Sequence, residues 1–259
     1  MSHLHWKRQL GRLSSLWPPA SPRRAILLYH ALGPLPPAVT VERFRAQLDW
    51  LATHAALVSL ETLLTSPQTA GLQVALTFDD GYASLHDDVA PLLPQCGATV
   101  YVNSGRIDDS VRQASEPAQG HYPREHFLLW GEVKSLEQAG WIVGSHGVEH
   151  TDLTAVDGAR VDDELQRSRA MIEARLQQPC AHFAYTWGRF TPQLQQRVKA
   201  AGYRSAASGL HGPLTVASDR FALPRIDVRA DYELDDFIAA VSGAWDFLGY
   251  KQRLWRAFA

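Results

Sequence analysis

Val74-Ala75-Leu76-Thr77-Phe78-Asp79-Asp80-Gly81 decides how this chain is read. A mostly apolar run leads without a break into two adjacent carboxylates and a glycine. Continuous apolar character is the pattern of a parallel strand covered on both faces. Asp79 and Asp80 then fall where the strand gives way to a loop. Successive side chains on a strand point to opposite sides, so two neighbouring acids there can take different tasks. Like charges this close repel, and a cation bound by one of them relieves the repulsion. Asp-Asp-Gly is also ordinary turn chemistry, so this stretch alone leaves both readings open.

A second stretch shifts the balance. Ser145-His146-Gly147-Val148-Glu149-His150 follows the apolar run Trp141-Ile142-Val143 and places two histidines four residues apart. Two imidazoles plus a carboxylate are the usual donors of a catalytic zinc-like site that keeps one position open for water. A histidine pair at this spacing is a weak signal by itself. An aspartate pair and a histidine pair, each at the end of an expected strand, make a much stronger one.

Around these stretches, strand and helix alternate. Ala25 to His30 forms a first buried strand, closed by His30, which is either a loop histidine satisfied by backbone or a group facing a site at the strand ends. Thr40 caps a helix carrying Phe44, Leu48 and Leu51, and Ser59 caps a short helix through Leu64. Ser84 to Leu93 is expected to be helical and Thr99 to Val102 a strand. The stretch from Asn103 to His126 is long, polar and irregular, either a substrate-facing excursion or a surface insertion. Helices follow over Trp130 to Ala139, over Asp157 to Leu176 and from Pro192 to about Gly202. In the second of these the charges are read as a solvated face. Strands are expected at Trp141 to Gly144, Ala181 to Tyr185, Tyr203 to Ala207 and Phe221 to Leu223, and a last helix carries Leu234, Phe237, Ile238, Val241 and Trp245.

This alternation argues for a mainly parallel α/β sheet, and 259 residues fit one closed or nearly closed (β/α) barrel. We divide the chain into an N-terminal extension, 1–22, and a barrel domain, 23–259. A 46% hydrophobic composition supplies a core, and a net charge of −2 gives no support for nucleic-acid binding by bulk charge. Cys96 and Cys180 have no cysteine nearby, which excludes a cysteine metal knuckle and leaves a single bridge undetermined. Met1 to Pro22 lacks the apolar core of a signal peptide, and no stretch approaches the roughly 18–20 apolar residues of a membrane span. The expected setting is the cytoplasm. The aromatic and basic tail from Trp245 to Arg256 is read either as a helix docked on the barrel or as a peripheral contact with the inner face of the membrane.

Thr77-Phe78-Asp79-Asp80-Gly81 and Ser145-His146-Gly147-Val148-Glu149-His150 resemble the first two signatures of the polysaccharide deacetylases, the NodB-type carbohydrate esterases of family 4. The similarity runs from about Ile26 to about Val228. It implies a distorted (β/α) barrel of about seven units. It also implies a divalent metal, commonly zinc, held by Asp80, His146 and His150, with Asp79 as general base. The expected substrate is an N-acylated amino sugar or glycan intermediate.

Two later motifs depart from the family. Where Arg-Pro-Pro-Tyr-Gly is usual, this chain has Ala184-Tyr185-Thr186-Trp187-Gly188. The base-orienting arginine is missing, and Arg189 or Arg225 are its candidate substitutes. Tyr185, Trp187 and Arg225 are candidate substrate or oxyanion contacts, with plain packing the alternative for the two aromatics. Where Leu-x-His is usual, Leu223-Pro224-Arg225-Ile226-Asp227 puts an arginine that cannot act as a general acid. His30 and His211 are the candidate acids, with Asp227 a candidate partner. Leu-Pro-Arg-Ile resembles a bacterial subgroup linked to envelope glycans. The expected function is metal-dependent N-deacetylation of an amino sugar in envelope glycan biosynthesis. The rivals are a deformylase or other amidase on a lipid-linked or non-sugar substrate, and a non-catalytic carbohydrate-binding protein on the same scaffold.

Overall fold

The computed structural model describes residues 22–93, 97–250 and 252. Residues 1–21, Cys96, Lys251 and residues 253–259 therefore lie outside the described residues. Strands β1 (Arg23–Tyr29), β2 (Ala55–Leu57), β3 (Leu72–Phe78), β4 (Thr99–Val102), β5 (Ile142–Ser145), β6 (His182–Ala184), β7 (Ser205–Ala207) and β8 (Ile226–Asp227) form one sheet. Every pairing is parallel, in the order β7-β6-β5-β4-β3-β1-β8. The fold is the distorted (β/α) barrel that the family resemblance implied.

The centre of the sheet is the pairing of β1 with β3, in register from Arg23 opposite Leu72 to Tyr29 opposite Phe78. The other edge of β3 is shared. β2 pairs with Leu72 to Val74, and β4 joins only at Thr77 and Phe78. β4 therefore starts high on β3, close to the strand end that carries Asp79.

The far side of the ring is brought round by residues 220–228. Ala206 N–H donates to Arg220 O, and Leu223 N–H donates to Ala206 O. Beyond Pro224, the same segment changes neighbour. Ile226 and Asp227 pair with Leu27 and Leu28, and Val228 N–H donates to Leu28 O. This corrects the expected strand at Phe221–Leu223, of which only one bridge, Leu223 to Ala207, forms. Pro224 has no N–H with which to continue that ladder.

The helices are α1 (Val41–His54), α2 (Leu60–Thr65), α3 (Trp130–Gln138), α4 (Gly158–Leu176), α5 (Pro192–Ala200) and α6 (Leu234–Ser242). Thr40, Ser59, Asp157 and Thr191 cap α1, α2, α4 and α5 through their side-chain oxygens. The helix expected over Ser84 to Leu93 is instead two short irregular turns, Leu85–Val89 and Ala90–Leu92. Pro91 interrupts it, and Ser84 Oγ accepts from Leu32 N–H rather than capping. α6 stops at Gly243, in the left-handed region at φ 101°, short of Trp245. Among the described residues no helix is long and apolar enough to cross a membrane.

Alternation along the strands divides the core. Ala25, Leu27, Val74, Leu76, Phe78, Val100 and Val102 face the helices, whereas Ile26, Ala75, Tyr101, Ala184, Ala207 and Leu223 fill the barrel. Small residues on three strands leave room for the Tyr101 ring. Leu60 and Leu63 of α2 close the bottom. This plug is tied down by Arg24 Nη1 on Leu63 O at 2.9 Å and Arg220 Nη2 on Leu64 O at 3.1 Å. Glu61 Oε2 also lies 3.1 Å from His182 Nε2.

Gly144 lets Tyr101 occupy the interior. A Cβ there would lie 2.6 Å from the Tyr101 ring and 2.8 Å from the His182 carbonyl. Gly144→Ala should therefore cost about 1–3 kcal/mol by overpacking. Gly131→Ala, on α3 with nothing near its Cβ, should be neutral or slightly stabilising. Urea unfolding of the two variants checks the contrast.

Candidate active site

The two aspartates part company at the end of β3. Asp80 and Gly81 both take left-handed backbone, at φ 73° and 80°. That conformation is uncommon for a residue with a side chain. The turn sends the two carboxylates to different partners.

Asp79 continues the inward side of β3 and meets Arg225 in a two-pronged pair, Nη1 to Oδ1 at 2.7 Å and Nη2 to Oδ2 at 2.8 Å. Asp79 is 3% exposed and Arg225 2%. Arg225 is held further by Ser208 O at 3.1 Å and Thr77 Oγ1 at 3.4 Å, over the Tyr101 ring. Burial alone would raise the Asp79 pKa. The charges of Arg225 and His146 and the Arg225 hydrogen bonds outweigh it and hold the carboxyl below its ordinary value.

Asp80 meets the histidines. Its Oδ1 lies 3.5 Å from His146 Nε2 and 3.5 Å from His150 Nε2. Burial opposes its ionisation, but His150, His30 and His146 bring its pKa down to about 2. His146 Nδ1 is 2.8 Å from Ala184 O, and His150 Nδ1 is 2.8 Å from Gln119 O. A carbonyl can only accept, so each Nδ1 carries a proton and each Nε2 is the ring atom turned toward Asp80. Burial lowers the His146 pKa against the pull of the two aspartates.

Three groups that sequence reading missed order these ligands. Glu164 of α4 is fully buried, a correction to the solvated face expected there. Its Oε2 accepts from Val148 N–H at 2.6 Å and Glu149 N–H at 3.2 Å, fixing the loop between the histidines. Asn103 Nδ2 reaches Asp80 O and Oδ1 at 3.4 and 3.5 Å. His121 packs its ring 4.8 Å from that of His150, with a pKa lowered by burial to about 4. The spacing of Glu164 on the Val161–Leu165 stripe was the available signal for the first. For Asn103 it was its place at the end of β4.

The donor set fits a divalent ion. The ligand atoms of Asp80, His146 and His150 all lie within 4.8 Å of one another. Zn–N bonds of roughly 2.0–2.1 Å make the edges of a tetrahedron about 3.3 Å long, close to the 3.5 Å separations seen here. Both imidazoles are oriented by backbone carbonyls, as metal-binding histidines usually are. A second group, His86, Asp87 and Glu132, is also within ligand range. There, Arg112 already bridges the two carboxylates at 2.5–2.8 Å.

The remaining candidates separate clearly. Arg225 is not a substrate or oxyanion contact, because its guanidinium is buried and committed to Asp79. It takes the place left open by Ala184, whereas Arg189 pairs with Asp152 at 2.6 Å. Tyr185 is not a substrate contact either. It is fully buried, donates its hydroxyl to Phe221 O at 2.8 Å and packs against Phe183 and Phe190. Trp187 is 43% exposed at the rim, with left-handed backbone and its ring 4.3 Å from that of His150.

His30 stacks on Tyr122 at 5.0 Å, acts on both aspartates, and has a buried Nδ1 with no hydrogen bond among the described residues. His211 is not among the groups that dominate the field at either aspartate. Its N–H donates to Gln252 Oε1 at 2.7 Å, on the β7 side of the barrel. Asp227 is exposed on β8 and acts on Tyr122.

A family model for polysaccharide deacetylase matches residues 67–206, which include Asp79, Asp80, His146 and His150. The chain belongs to the polysaccharide deacetylase family. Membership implies a hydrolase that deacetylates carbohydrates. YxkH of Bacillus subtilis (strain 168), provisionally named a polysaccharide deacetylase, is 24% identical over 217 residues, covering 78% of this chain and 70% of its own. The deacetylase PplD of Streptococcus pyogenes, solved with acetate, superposes with a TM-score of 0.71 at 22% identity, over 86% of this chain and 99% of its own. IcaB of Ammonifex degensii gives 0.71 at 20% identity, over 85% and 97%. These likenesses establish the shared fold.

Arg225→Met would leave the Asp79 charge buried without its partner, a loss of about 3–5 kcal/mol at neutral pH. Asp79 has a lowered folded pKa, so its stabilising share is present above the unfolded value and lost as pH falls through the folded one. In the variant, burial raises the unpaired Asp79 carboxyl, so it protonates as pH falls and the gap to wild type should narrow toward about pH 4, near the ordinary aspartate pKa; the wild-type share itself goes only below that. Unfolding midpoints at pH 7 and pH 4 measure it.

Proposed function

We propose that the chain is a metal-dependent N-deacetylase acting on an amino sugar of a surface or envelope glycan. The observation that carries this reading is the division of the aspartate pair, with Asp80 beside the Nε2 atoms of His146 and His150 and Asp79 held ionised by Arg225. Asp80, His146 and His150 would hold a divalent ion, zinc being the first choice for two nitrogens and one oxygen. Such an ion, when bound, polarises the amide carbonyl and makes water a nucleophile near neutral pH.

The protein's own groups supply the rest. Asp79 accepts the proton of the attacking water as the oxygen–carbon bond forms. Arg225 keeps that carboxylate ionised and aimed. The Trp187 N–H, on a left-handed turn at the rim beside His150, donates to the developing oxyanion. As the carbon–nitrogen bond breaks, His30 gives a proton to the leaving amine, a role supported by its place at the end of β1 and its buried Nδ1 without a hydrogen bond among the described residues. The exposed Trp187 ring offers a face for the sugar. The envelope assignment is supported by the Leu223-Pro224-Arg225-Ile226 segment.

Purified protein should carry about one divalent ion per chain and release acetate from oligomers of N-acetylglucosamine. Asp79→Asn should retain the ion and lose about 10²–10⁴-fold in rate, while His146→Ala should lose the ion. Formate rather than acetate, released from formylated sugars, would move the chain to deformylation. Sugar binding without acid release would make it a carbohydrate-binding protein.

A further inference from the structure

The long excursion after β4 returns to the site as a wall. Gln119 O receives His150 Nδ1–H, His121 packs on the His150 ring, and Gly120 lies under Trp187. A Cβ on Gly120 would sit 2.7 Å from the Trp187 indole nitrogen, and the residue takes φ 88°. An irregular segment needs something to hold it in register, and its own short turn at Pro117–Gln119 is too small to do so.

Arg106 is that holdfast. Its side chain is only 13% exposed. Nη1 donates to Glu116 Oε1 at 2.6 Å, and Nη2 donates to Gln119 Oε1 at 2.6 Å and lies 3.2 Å from Glu149 Oε2. Gln119 Nε2 closes the ring on Glu116 Oε2 at 2.7 Å. The turn bearing Arg106 is itself fastened to the histidine loop, with Ser104 and Gly105 N–H donating to Gly147 and Val148 O at 3.0 Å. Gly105 has to be glycine for this approach, since a Cβ would lie 2.6 Å from Glu149 Oε1 and 2.9 Å from Val148 O. One guanidinium thus joins the end of β4, the loop between the metal-site histidines, and the wall that carries Gln119. Its planar fork suits three acceptors in a way a lysine ammonium does not.

We propose that Arg106 is a positioning residue for His150. It fixes Gln119, whose carbonyl holds the His150 tautomer with Nε2 directed at Asp80. His150 needs such support because its own backbone is left-handed, at φ 55°. This inference rests on the metal reading only for its effect on affinity, since the tautomer is a property of the metal-free chain.

Arg106→Met and the milder Gln119→Leu test it in the full chain. Nitrogen-15 spectra of the metal-free imidazoles should show the His150 Nδ1–H weakened or exchanged for Nε2–H in both variants, with His146 unchanged. Zinc titrated against a chelator should bind about 10–100-fold more weakly, and Arg106→Lys should fall between wild type and Arg106→Met. An unaltered His150 tautomer in folded Gln119→Leu and Arg106→Met would overturn the inference. Wild-type protein that binds no zinc would count against the metal reading alone, leaving the imidazole spectra to decide the role of Arg106.

Discussion

The buried pair between Asp79 and Arg225 is the interaction on which the rest of the molecule depends. It spans 146 residues of chain and joins the central strand to the segment that brings the barrel round. Two charges in a protein interior are expensive unless both are fully hydrogen-bonded. Here both carboxylate oxygens are taken, and the guanidinium finds Ser208 O and Thr77 Oγ1 besides. The small side chains Ala75, Ala184 and Ala207 and the bare backbone of Gly144 make space beneath this pair for Tyr101, which the guanidinium overlies. Packing at the bottom of the barrel and chemistry at its mouth are therefore one column.

That column explains why two adjacent acids can serve separate ends. Asp79 has its countercharge inside the protein, so Asp80 is the acid left for a cation among His146 and His150. The left-handed turn at Asp80 and Gly81 makes the separation geometric as well as electrostatic. The same division makes this site a better fit for an ion than His86, Asp87 and Glu132, whose acids are already compensated by Arg112.

Much of this was legible in residue order. The apolar run before Asp79 reads as a buried strand because both faces are covered, and β3 is one. Caps at Thr40 and Ser59 announced helices at the right places, since the cap is a local interaction. What failed was governed by tertiary context. Pro224 makes residues 220–228 change partner midway, which no local propensity records. Glu164 carries the charge of a surface residue but is claimed by the backbone N–H groups of a loop. Of the two readings left open for Tyr185, packing prevails, because the chain turns only at Trp187. The arginine missing at position 184 returns at 225, from a part of the chain outside the stretch matched to the family.

Anomalous scattering at the zinc edge, from crystals of the zinc-loaded full chain, tests the central claim most directly. The account predicts one strong peak bounded by Asp80 Oδ1, His146 Nε2 and His150 Nε2, with Asp79 still paired to Arg225 beside it. Zinc bound by both carboxylates with Arg225 displaced, or a peak only at His86, Asp87 and Glu132, would contradict it.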